Sequence, residues 1–304
     1  MQNTVTIAKK RSLNIIVIQM VLVSVIWGGT FIAGRVIQPE ISPLLSATLR
    51  FLFASLSLIL VLFIGRIGWK RISAKQFCQI IVLGASGVFI YQILFFYGLQ
   101  IIPASRAALL VAINPAMIAL ISFILWKEKI SIKKGIGISF CVIGAIILLS
   151  DKTPDSDGFV VSSGDLAILG CVISWGIYTV AGKNVIQEIG ALHTVTYAVL
   201  FGTILLVLTS VYTQEMNFGA LSLLSVGDLI SLSYLGVLGS AIAYVWYYQG
   251  VAQLGAAGAG SFIALNPLSA VIIGTLFLNE KMSSMIIIGG VLIILGIMIT
   301  NKKQ

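Results

Sequence analysis

Aromatic and hydroxyl side chains share one face of an apolar segment near the start of the chain. Trp27, Thr30, Phe31 and Gly34 stand at i, i+3, i+4 and i+7, positions that fall on one side of an α-helix. Such a face can hold an amphipathic solute by ring stacking and a few hydrogen bonds. We interpret Trp27, Thr30 and Phe31 as substrate-binding residues, against the alternatives of ordinary packing or an aromatic belt at a membrane interface.

The same face returns in the second half of the chain. The segment WGGTFIAGR, residues 27–35, is followed 148 residues later by WGIYTVAGK, residues 175–183. Trp175, Tyr178 and Thr179 repeat the spacing of the first copy, so we predict that they also bind substrate. A hydrophobic chain with two related halves is typical of transporters, which build one site between the halves.

Two asparagine–proline pairs occupy matched places in the two halves. Asn114-Pro115 returns 152 residues later as Asn266-Pro267. Proline removes one hydrogen bond of a helix and clashes with the carbonyl four residues back, so each pair predicts a kink. The preceding asparagine can bond the freed backbone or a ligand. We therefore include Asn114 and Asn266 among the predicted substrate-binding residues.

Arg50 is the only charged residue well inside an apolar segment. Carrying a guanidinium into the bilayer costs about 2.5–3.5 kcal/mol on insertion scales, so Arg50 should face the protein interior or a wet cavity. It can clamp a solute carboxylate or phosphate with its forked guanidinium. Alternatively, it can satisfy carbonyl and hydroxyl groups where neighbouring helices approach. Its counterpart in the second half is Ala198.

Two tyrosines, Tyr244 and Tyr248, stand at i and i+4 in the second half. Their counterparts 152 residues earlier are Gln92 and Phe96, so the two halves differ in polarity at this place. One unsymmetrical solute would need such a difference, and we predict that all four residues bind substrate. We expect the neighbouring Tyr91 to pack or to face lipid.

Composition indicates the elements that position these residues. The 304 residues are 59% hydrophobic and 10% charged, with a mean hydropathy of +1.08. So few polar residues cannot cover a water-soluble globule. Spans of roughly 20 apolar residues are needed to cross a bilayer. We predict such spans at 14–34, 43–64, 77–98, 104–125, 134–150, 164–183, 192–212, 227–252, 258–278 and 284–300.

The basic residues predict the orientation of these ten helices. Among the 19 Lys and Arg residues, most fall on one side of the predicted membrane, and the opposite side carries only Arg35, Arg106, Lys152 and Lys281. Basic residues are enriched in cytoplasmic loops, so both termini are predicted to be cytoplasmic in a multi-pass protein of the cell membrane. The net charge of +9 reflects this distribution, and no nucleic-acid partner is expected.

Each half contains five predicted helices, so the second half must enter the membrane from the opposite side. We predict an all-α integral membrane protein with ten transmembrane helices in two inverted five-helix repeats. The repeats cover residues 14–150 and 164–300, and residues 151–163 form an external linker. Gly137 and Gly144 return as Gly289 and Gly296, which predicts stripes of small residues for close helix approach.

Several motifs in this order resemble the drug/metabolite transporter superfamily, EamA branch, over residues 14–300. The resemblance rests on the two Trp-Gly segments, Leu49-Arg50-Phe51, the two Asn-Pro pairs, and the Glu-Lys pairs at 128–129 and 280–281. It implies movement of substrate across the cytoplasmic membrane, usually the export of amino acids or other small metabolites. It also implies a central cavity lined by helices 1–4 and 6–9, with the fifth helix of each half outside it.

We predict an exporter of amino acids or related solutes that works by alternating access at a central cavity. The alternative is a carrier for a larger anionic solute, such as a nucleotide conjugate or a lipid-linked phosphate. Such a carrier would require more than one buried cation. A receptor or scaffold would want a soluble output domain, for which the chain has no room. The expected partners are a small-molecule substrate and the lipid bilayer, with the chain as a monomer or homodimer.

Other kinds of chemistry are not expected. An enzyme would want a buried His/Asp or carboxylate pair for acid–base work, and the sequence offers none. Cys78, Cys141 and Cys171 lack metal-ligand spacing, and no cofactor is predicted. No Asp or Glu occupies the middle of a predicted helix, so uniport or exchange fits better than proton coupling. His193, at the inner edge of the seventh helix, is expected to be an interfacial polar residue.

Overall fold

The described part of the chain is almost entirely helical. The structure is a computed structural model that describes residues 13–126, 132–149, 161–263, 265–266, 270, 274, 276 and 283–301. These ranges contain no β-strand. The α-helices are α1 (Leu13–Arg35), α2 (Pro43–Ile64), α3 (Ala74–Leu83), α4 (Tyr91–Ile101), α5 (Ala104–Val111), α6 (Asn114–Trp126), α7 (Ile132–Leu149), α8 (Ser163–Ile189), α9 (Ala191–Tyr212), α10 (Phe218–Ser222), α11 (Val226–Ser233), α12 (Ala243–Phe262) and α13 (Ser284–Asn301). Two π-helical segments, π1 (Gly84–Ile90) and π2 (Tyr234–Ile242), join α3 to α4 and α11 to α12.

Seven stretches of the described helices are long and apolar enough to cross a membrane. They are Asn14–Arg35, Pro43–Ile64, Ala74–Ile101, Ala104–Leu125, Ser163–Ile189, Ala191–Tyr212 and Val226–Ala256. α7 and α13 contain shorter apolar stretches. These findings confirm an all-helical chain with several candidate membrane spans. The count of ten stays a prediction, because residues 258–278 are described only in part, and Glu128, Glu280 and residues 151–160 lie outside the described ranges.

Serine side chains fix where several helices begin. Ser73, Ser162 and Ser225 each accept a hydrogen bond from the backbone N–H three residues on, and the side chain of that residue bonds back to the serine backbone. This reciprocal cap satisfies donors that the start of a helix leaves open. Ser42 caps α2, and Pro43 fits the first turn of that helix because no N–H is needed there.

α7 and α13 pack along each other at close range. A Cβ atom added to Gly144 would lie 2.7 Å from the carbonyl oxygen of Gly289, and one added to Gly296 would lie 2.6 Å from that of Gly137. Only glycine permits this approach, so the predicted stripes of small residues are confirmed. The two helices thus form a pair of their own beside the remaining helices.

The remaining long helices pack around the centre of the helix bundle. α2 packs on α9 and π2, α4 packs on α8, and α1 packs on α12. π1 packs on α9 through two glycines. A Cβ atom on Gly84 would lie 2.7 Å from the carbonyl oxygen of Ala198, and one on Gly202 would lie 2.7 Å from that of Gly84. Small residues therefore bring these two backbones together.

Gly84→Ala is expected to destabilise the protein by about 1–3 kcal/mol, because the added methyl group must push π1 away from α9. Gly135→Ala in α7 is the matched control, since a Cβ atom there would meet no described heavy atom within 4 Å. Alanine at that position should stabilise the helix by up to about 1 kcal/mol. Thermal denaturation of the purified variants measures both effects. Equal melting temperatures for the two variants would contradict the close packing of Gly84.

Arg35 and Arg66 lie at opposite ends of the bundle, which we call the Arg35 end and the Arg66 end. The Arg35 end holds the last turn of α1 and the first turn of α2. The Arg66 end holds the last turn of α2 and the loop at 65–73. Lys70 Nζ in that loop donates a hydrogen bond to the carbonyl oxygen of Ile189 over 2.8 Å, so α8 also ends at the Arg66 end.

Candidate functional site

A narrow cavity of about 30 Å³ lies among the central helices. This volume has room for about two water molecules. Aromatic rings form much of its wall, together with one guanidinium and two carboxamides. The lining residues are Trp27, Thr30, Phe31, Arg50, Tyr91, Phe95, Val111, Asn114, Trp175, Tyr244, Ile263 and Asn266. None of these described residues comes from α7 or α13.

Most of the residues predicted to bind substrate meet at this cavity. Trp27, Thr30, Phe31, Arg50, Asn114, Trp175, Tyr244 and Asn266 line it. The other five predicted residues do not line it and are buried beside it: Gln92, Phe96, Tyr178, Thr179 and Tyr248. The structure thus brings Trp27, Thr30 and Phe31 of α1 to the cavity, but only Trp175 from the matching face of α8.

Two tryptophans meet edge to face at the cavity. The ring centroids of Trp27 and Trp175 lie 5.2 Å apart at an angle of 86°. Trp27 Nε1 donates to the carbonyl oxygen of Gly239 in π2 over 2.9 Å, and Thr30 Oγ1 donates to the carbonyl oxygen of Trp27 over 2.6 Å. Tyr244 packs its ring against both tryptophans. These contacts hold the aromatic wall in a fixed arrangement.

In the Arg50 guanidinium, Nε is hydrogen-bonded to Ser240, whereas Nη1 has no partner among the described residues. Nε donates to Ser240 Oγ in π2 over 2.9 Å, and the Ser240 hydroxyl donates in turn to the carbonyl oxygen of Leu235 over 2.9 Å. Nη1 is buried and has no hydrogen-bond partner within the described part of the chain. The guanidinium carbon also lies 5.5 Å from the ring centroid of Phe95. A buried cationic N–H without a partner is costly, and a solute anion in the cavity would satisfy it.

The two predicted asparagines contribute oxygen atoms that also lack partners. Asn114 and Asn266 are 1% and 2% exposed, and neither Oδ1 accepts a hydrogen bond from any described residue. Both side chains line the cavity. Amide oxygens accept hydrogen bonds from ammonium groups. The cavity therefore combines one free cationic donor with two free neutral acceptors.

A layer of tyrosines closes the Arg66-end side of the cavity. Following Trp175 toward the end of α8, Tyr178 stacks on Tyr248 with ring centroids 4.8 Å apart. Tyr248 Oη donates to the carbonyl oxygen of Tyr178 over 3.0 Å, and the hydroxyls of Thr179 and Tyr247 are 3.3 Å apart. All four side chains are fully buried. We call these four residues the tyrosine layer.

The remaining predicted residues pack behind the cavity wall. Gln92 Nε2 donates to Tyr244 Oη over 3.1 Å, so Gln92 supports a lining residue without reaching the cavity. Phe96 packs edge to face on Phe95 with centroids 5.5 Å apart. His193 lies away from the cavity, at the Arg66 end, where Nε2 is 2.9 Å from the carbonyl oxygen of Gly68.

Four lining residues were not predicted from the sequence. Tyr91 lines the cavity, where we had expected packing or a lipid contact, and Phe95 follows it at i+4 on the same face. Val111 and Ile263 also line it, each three residues before a predicted asparagine. Helical spacing from those asparagines was a signal for these two residues. The signal for Tyr91 and Phe95 was weaker, because repeat matching pointed to the adjacent positions.

An ion pair that the sequence did not reveal lies near the Arg35 end. Arg106 Nε and Nη2 donate to the two carboxylate oxygens of Asp165 over 2.7 and 3.0 Å. Both side chains are at least 95% buried. Ser162 Oγ also donates to this carboxylate over 2.7 Å. The pair joins the first turn of α5 to the first turn of α8.

The cavity wall contains one charged group and no cluster of metal-ligating side chains among the described residues. The described ranges contain no group of three or more His, Cys, Asp or Glu side chains that could hold a metal ion. Arg50 is the one charged residue among the described residues that line the cavity. The Arg50 guanidinium, the two amide oxygens and the aromatic wall are groups that can contact a bound solute.

Comparisons with known proteins agree with a membrane carrier. The sequence pattern of the EamA-like transporter family matches residues 14–150 and 162–302. The uncharacterized transporter YyaM of Bacillus subtilis is 29% identical over 277 residues, which cover 90% of each chain. A probable terminal-alkyne amino-acid exporter of Streptantibioticus cattleyicolor is 26% identical, over 93% of this chain and 92% of the relative. One solved crystal structure has the same fold, with a TM-score of 0.68 at 18% identity, over 94% of this chain and 96% of that one.

Proposed function

The chain belongs to the EamA-like transporter family, and we propose that it exports amino acids or related small solutes by alternating access at the central cavity. A membrane transporter of this family needs a site that is reached in turn from each side. The free guanidinium N–H of Arg50 inside an aromatic cavity is the observation that carries the proposal. The curated relative named as a probable amino-acid exporter agrees with this class of solute.

Contacts between matched residues support two inverted repeats and the ten-helix arrangement. Gln92 and Tyr244 are 152 residues apart and bond each other, as residues on a two-fold axis would. The hydroxyl oxygens of Ser55 and Thr203, matched residues 148 apart in α2 and α9, lie 2.9 Å from each other. The paired tryptophans at the cavity, 148 residues apart, fit the same axis. Equivalent residues of two inverted copies meet only if the axis passes between them.

The position of the cavity relative to this axis supports alternating access. Three matched pairs line it from both copies: Trp27 with Trp175, Asn114 with Asn266, and Val111 with Ile263. Five other lining residues lie toward the Arg35 end: Thr30, Phe31, Arg50, Tyr91 and Phe95. Their counterparts in the second half are fully buried by neighbouring side chains: Tyr178, Thr179, Ala198, Ala243 and Tyr247. The space is thus open on one side of the axis and filled on the other, and exchanging the two arrangements would move it to the Arg66 end.

The polar atoms of the cavity suit a zwitterion. A carboxylate can accept hydrogen bonds from Arg50 Nη1, and an ammonium group can donate to the free oxygens of Asn114 and Asn266. The aromatic wall can pack against the apolar side chain of an amino-acid solute. The space of about 30 Å³ is too small for such a solute, so the helices must move apart for it to enter.

The larger anionic solute remains the alternative function. A nucleotide conjugate or lipid-linked phosphate carries two or more negative charges in many cases, and Arg50 is the one cation among the described lining residues. The site therefore favours a solute with a single anionic group. The described lining residues include no carboxylate, and this favours uniport or exchange over coupling to protons.

The orientation with cytoplasmic termini rests on the basic loops. The Arg66 end then faces the cytoplasm and the Arg35 end faces outward, in the cell membrane. In this orientation the tyrosine layer lies between the cavity and the cytoplasm, which supports a state of the proposed cycle that is closed toward the cytoplasm.

Export is tested by measuring solutes inside and outside cells that overproduce the wild type, Trp27→Ala or Trp246→Ala. Trp246 is a partly buried tryptophan that does not line the cavity, so it controls for loss of a large ring. We expect one amino acid or a small set to accumulate outside with the wild type and Trp246→Ala, but not with Trp27→Ala. Mass spectrometry of the medium and of cell extracts measures this. Accumulation inside would reverse the direction, and no change in any amino acid would favour the larger anionic solute.

Ser240→Ala is expected to weaken binding of an amino acid about tenfold, because Ser240 fixes the orientation of Arg50. A hydrogen bond to a charged group is worth about 1.5–3 kcal/mol, and only part of this reaches the solute. Calorimetry with L-leucine on the purified protein measures the change. In an Arg50→Ala background, Ser240→Ala should have no further effect, and Ser240→Thr should keep the wild-type affinity. An equal loss in both backgrounds would contradict a role through Arg50.

A further inference from the structure

A second cavity opens on the surface of the bundle at the Arg66 end. Its volume is about 260 Å³, much larger than that of the central cavity. Its walls are the apolar side chains of Ile59, Leu62 and Phe63 in the last turns of α2, and residues 66–69 of the following loop. We call it the Arg66 groove. Phe63 is 80% exposed and Trp69 is 56% exposed, so an apolar surface continues out of the groove.

The loop that forms the groove is held in place by three side chains. Trp69 stacks on Tyr197 in α9, with ring centroids 5.7 Å apart and an angle of 26° between the rings. Tyr197 Oη donates to the carbonyl oxygen of Lys70 over 2.6 Å, and His193 is bonded to the carbonyl of Gly68. Tryptophan and tyrosine prefer the interface between hydrocarbon and water, so this loop fits that depth in a bilayer.

Arg66 has a backbone conformation that normally favours glycine. α2 ends with the N–H of Ile67 bonded to the carbonyl of Leu62 over 2.9 Å and that of Arg66 to the carbonyl of Phe63 over 3.1 Å. This turn requires a left-handed residue, and Arg66 supplies it with φ of 49°. The arrangement recurs 148 residues later at the end of α9, where the left-handed residue is Gln214 with φ of 58°.

The two matched turns differ in charge. Both need the left-handed conformation, and glycine would adopt it without a steric penalty, yet neither copy has glycine. The first copy has a guanidinium at the groove where the second has a neutral amide. Lys70 Nζ is engaged with Ile189, whereas the Arg66 guanidinium makes no hydrogen bond to the part of the chain that the structure describes. A strained cationic residue over an apolar groove suggests that its charge has a use.

We propose that the Arg66 groove binds an anionic phospholipid. The lipid phosphate would accept the forked hydrogen bonds of Arg66, and one acyl chain would lie against Ile59, Leu62 and Phe63. The inference rests on the proposed orientation, which puts the groove in the cytoplasmic leaflet, where anionic lipids attract basic residues beside membrane helices. Opposite charge selects the headgroup class, and the apolar wall selects a lipid over free phosphate.

Native mass spectrometry of the purified, delipidated full chain tests the proposal. We expect phosphatidylglycerol to bind at one tight site, and phosphatidylcholine and inorganic phosphate to bind at least tenfold more weakly. Arg66→Gln should weaken phosphatidylglycerol about tenfold, because it installs the neutral residue type that the matched turn already tolerates. Arg71→Gln is the control, since it removes an equal charge from an exposed loop position outside the groove.

Arg66→Gly separates lipid binding from folding. Glycine fits the left-handed turn, so the melting temperature in detergent should be equal to or above that of the wild type, while phosphatidylglycerol binding falls as in Arg66→Gln. Equal weakening by Arg71→Gln would overturn the proposal, because it would indicate diffuse attraction to a basic surface. Wild-type affinity in Arg66→Gln, or equally tight inorganic phosphate, would overturn it too. None of these readouts needs a transported solute, so the proposed export can fail independently.

Discussion

Replacing Arg50 with alanine is expected to lower the affinity for an amino acid about 100-fold and to abolish transport while the protein still reaches the membrane. The factor corresponds to about 2.7 kcal/mol, within the range for truncating one partner of a buried charge pair. Arg50 is the one charged residue among the described residues of the cavity wall, so no neighbour there can replace it. The measurement is calorimetry of L-leucine binding to the purified variant.

The solute itself provides the complementary test for Arg50. L-Leucinamide has no carboxylate, so it should bind the wild type about 100-fold more weakly than L-leucine and should lose little further affinity in Arg50→Ala. Arg50→Lys keeps the charge but cannot bond both Ser240 and a carboxylate with a planar fork, and we expect about a tenfold loss. An Arg50→Ala protein that still prefers L-leucine to its amide by the wild-type factor would refute the carboxylate contact.

The sequence indicated which residues line the cavity where a single helix or a single charged residue determines their position. The i, i+3, i+4 spacing placed Trp27, Thr30 and Phe31 correctly on one wall, because the helical period fixes which residues share a face. The isolated Arg50 pointed inward because lipid excludes it. The glycine stripes of α7 and α13 were also visible in the sequence, since the spacing of small residues encodes close approach.

The repeat does not indicate which of two matched faces lines the cavity. Tyr178 and Thr179 receive the same prediction as Thr30 and Phe31, because matched positions in a repeat do not indicate how each copy packs. In the structure the first pair is packed in the tyrosine layer and the second pair lines the cavity. Tyr91 was not predicted for a different reason: its counterpart in the second half is Ala243, so matching the two copies gave no signal for it.

The ion pair near the Arg35 end was beyond the sequence for another reason. Arg106 and Asp165 are 59 residues apart and belong to different predicted halves, so no spacing rule connects them. Each stands within the first three residues of a predicted span, 104–125 or 164–183, where exposed charges are common. The packing of α5 on α8 buries both side chains, so each charge then needs the other as its partner.

Breaking this pair is expected to have the largest effect on stability of any substitution considered for the chain. Arg106→Ala removes the cation from a carboxylate that is 1% exposed, and leaving one buried charge without its partner costs about 3–5 kcal/mol. Asp165→Ala should cost at least as much, because it also removes the side chain that bonds the backbone and hydroxyl of Ser162 in the cap of α8. Thermal denaturation in detergent, with abundance in the membrane, measures both.

The double variant Arg106→Met with Asp165→Asn tests whether charge is the cause. Asparagine keeps an oxygen for the cap of α8, and methionine fills much of the space of the arginine stem, so no unpaired charge remains. Replacing both partners of a buried ion pair by neutral groups of similar size is often tolerated, and the double variant should recover most of the stability that Arg106→Ala loses. A double variant as unstable as the sum of the single changes Arg106→Met and Asp165→Asn would contradict this cause. The pair joins α5 in the first half of the sequence to α8 in the second, so the double variant measures how much the charges contribute to the contact between the two halves.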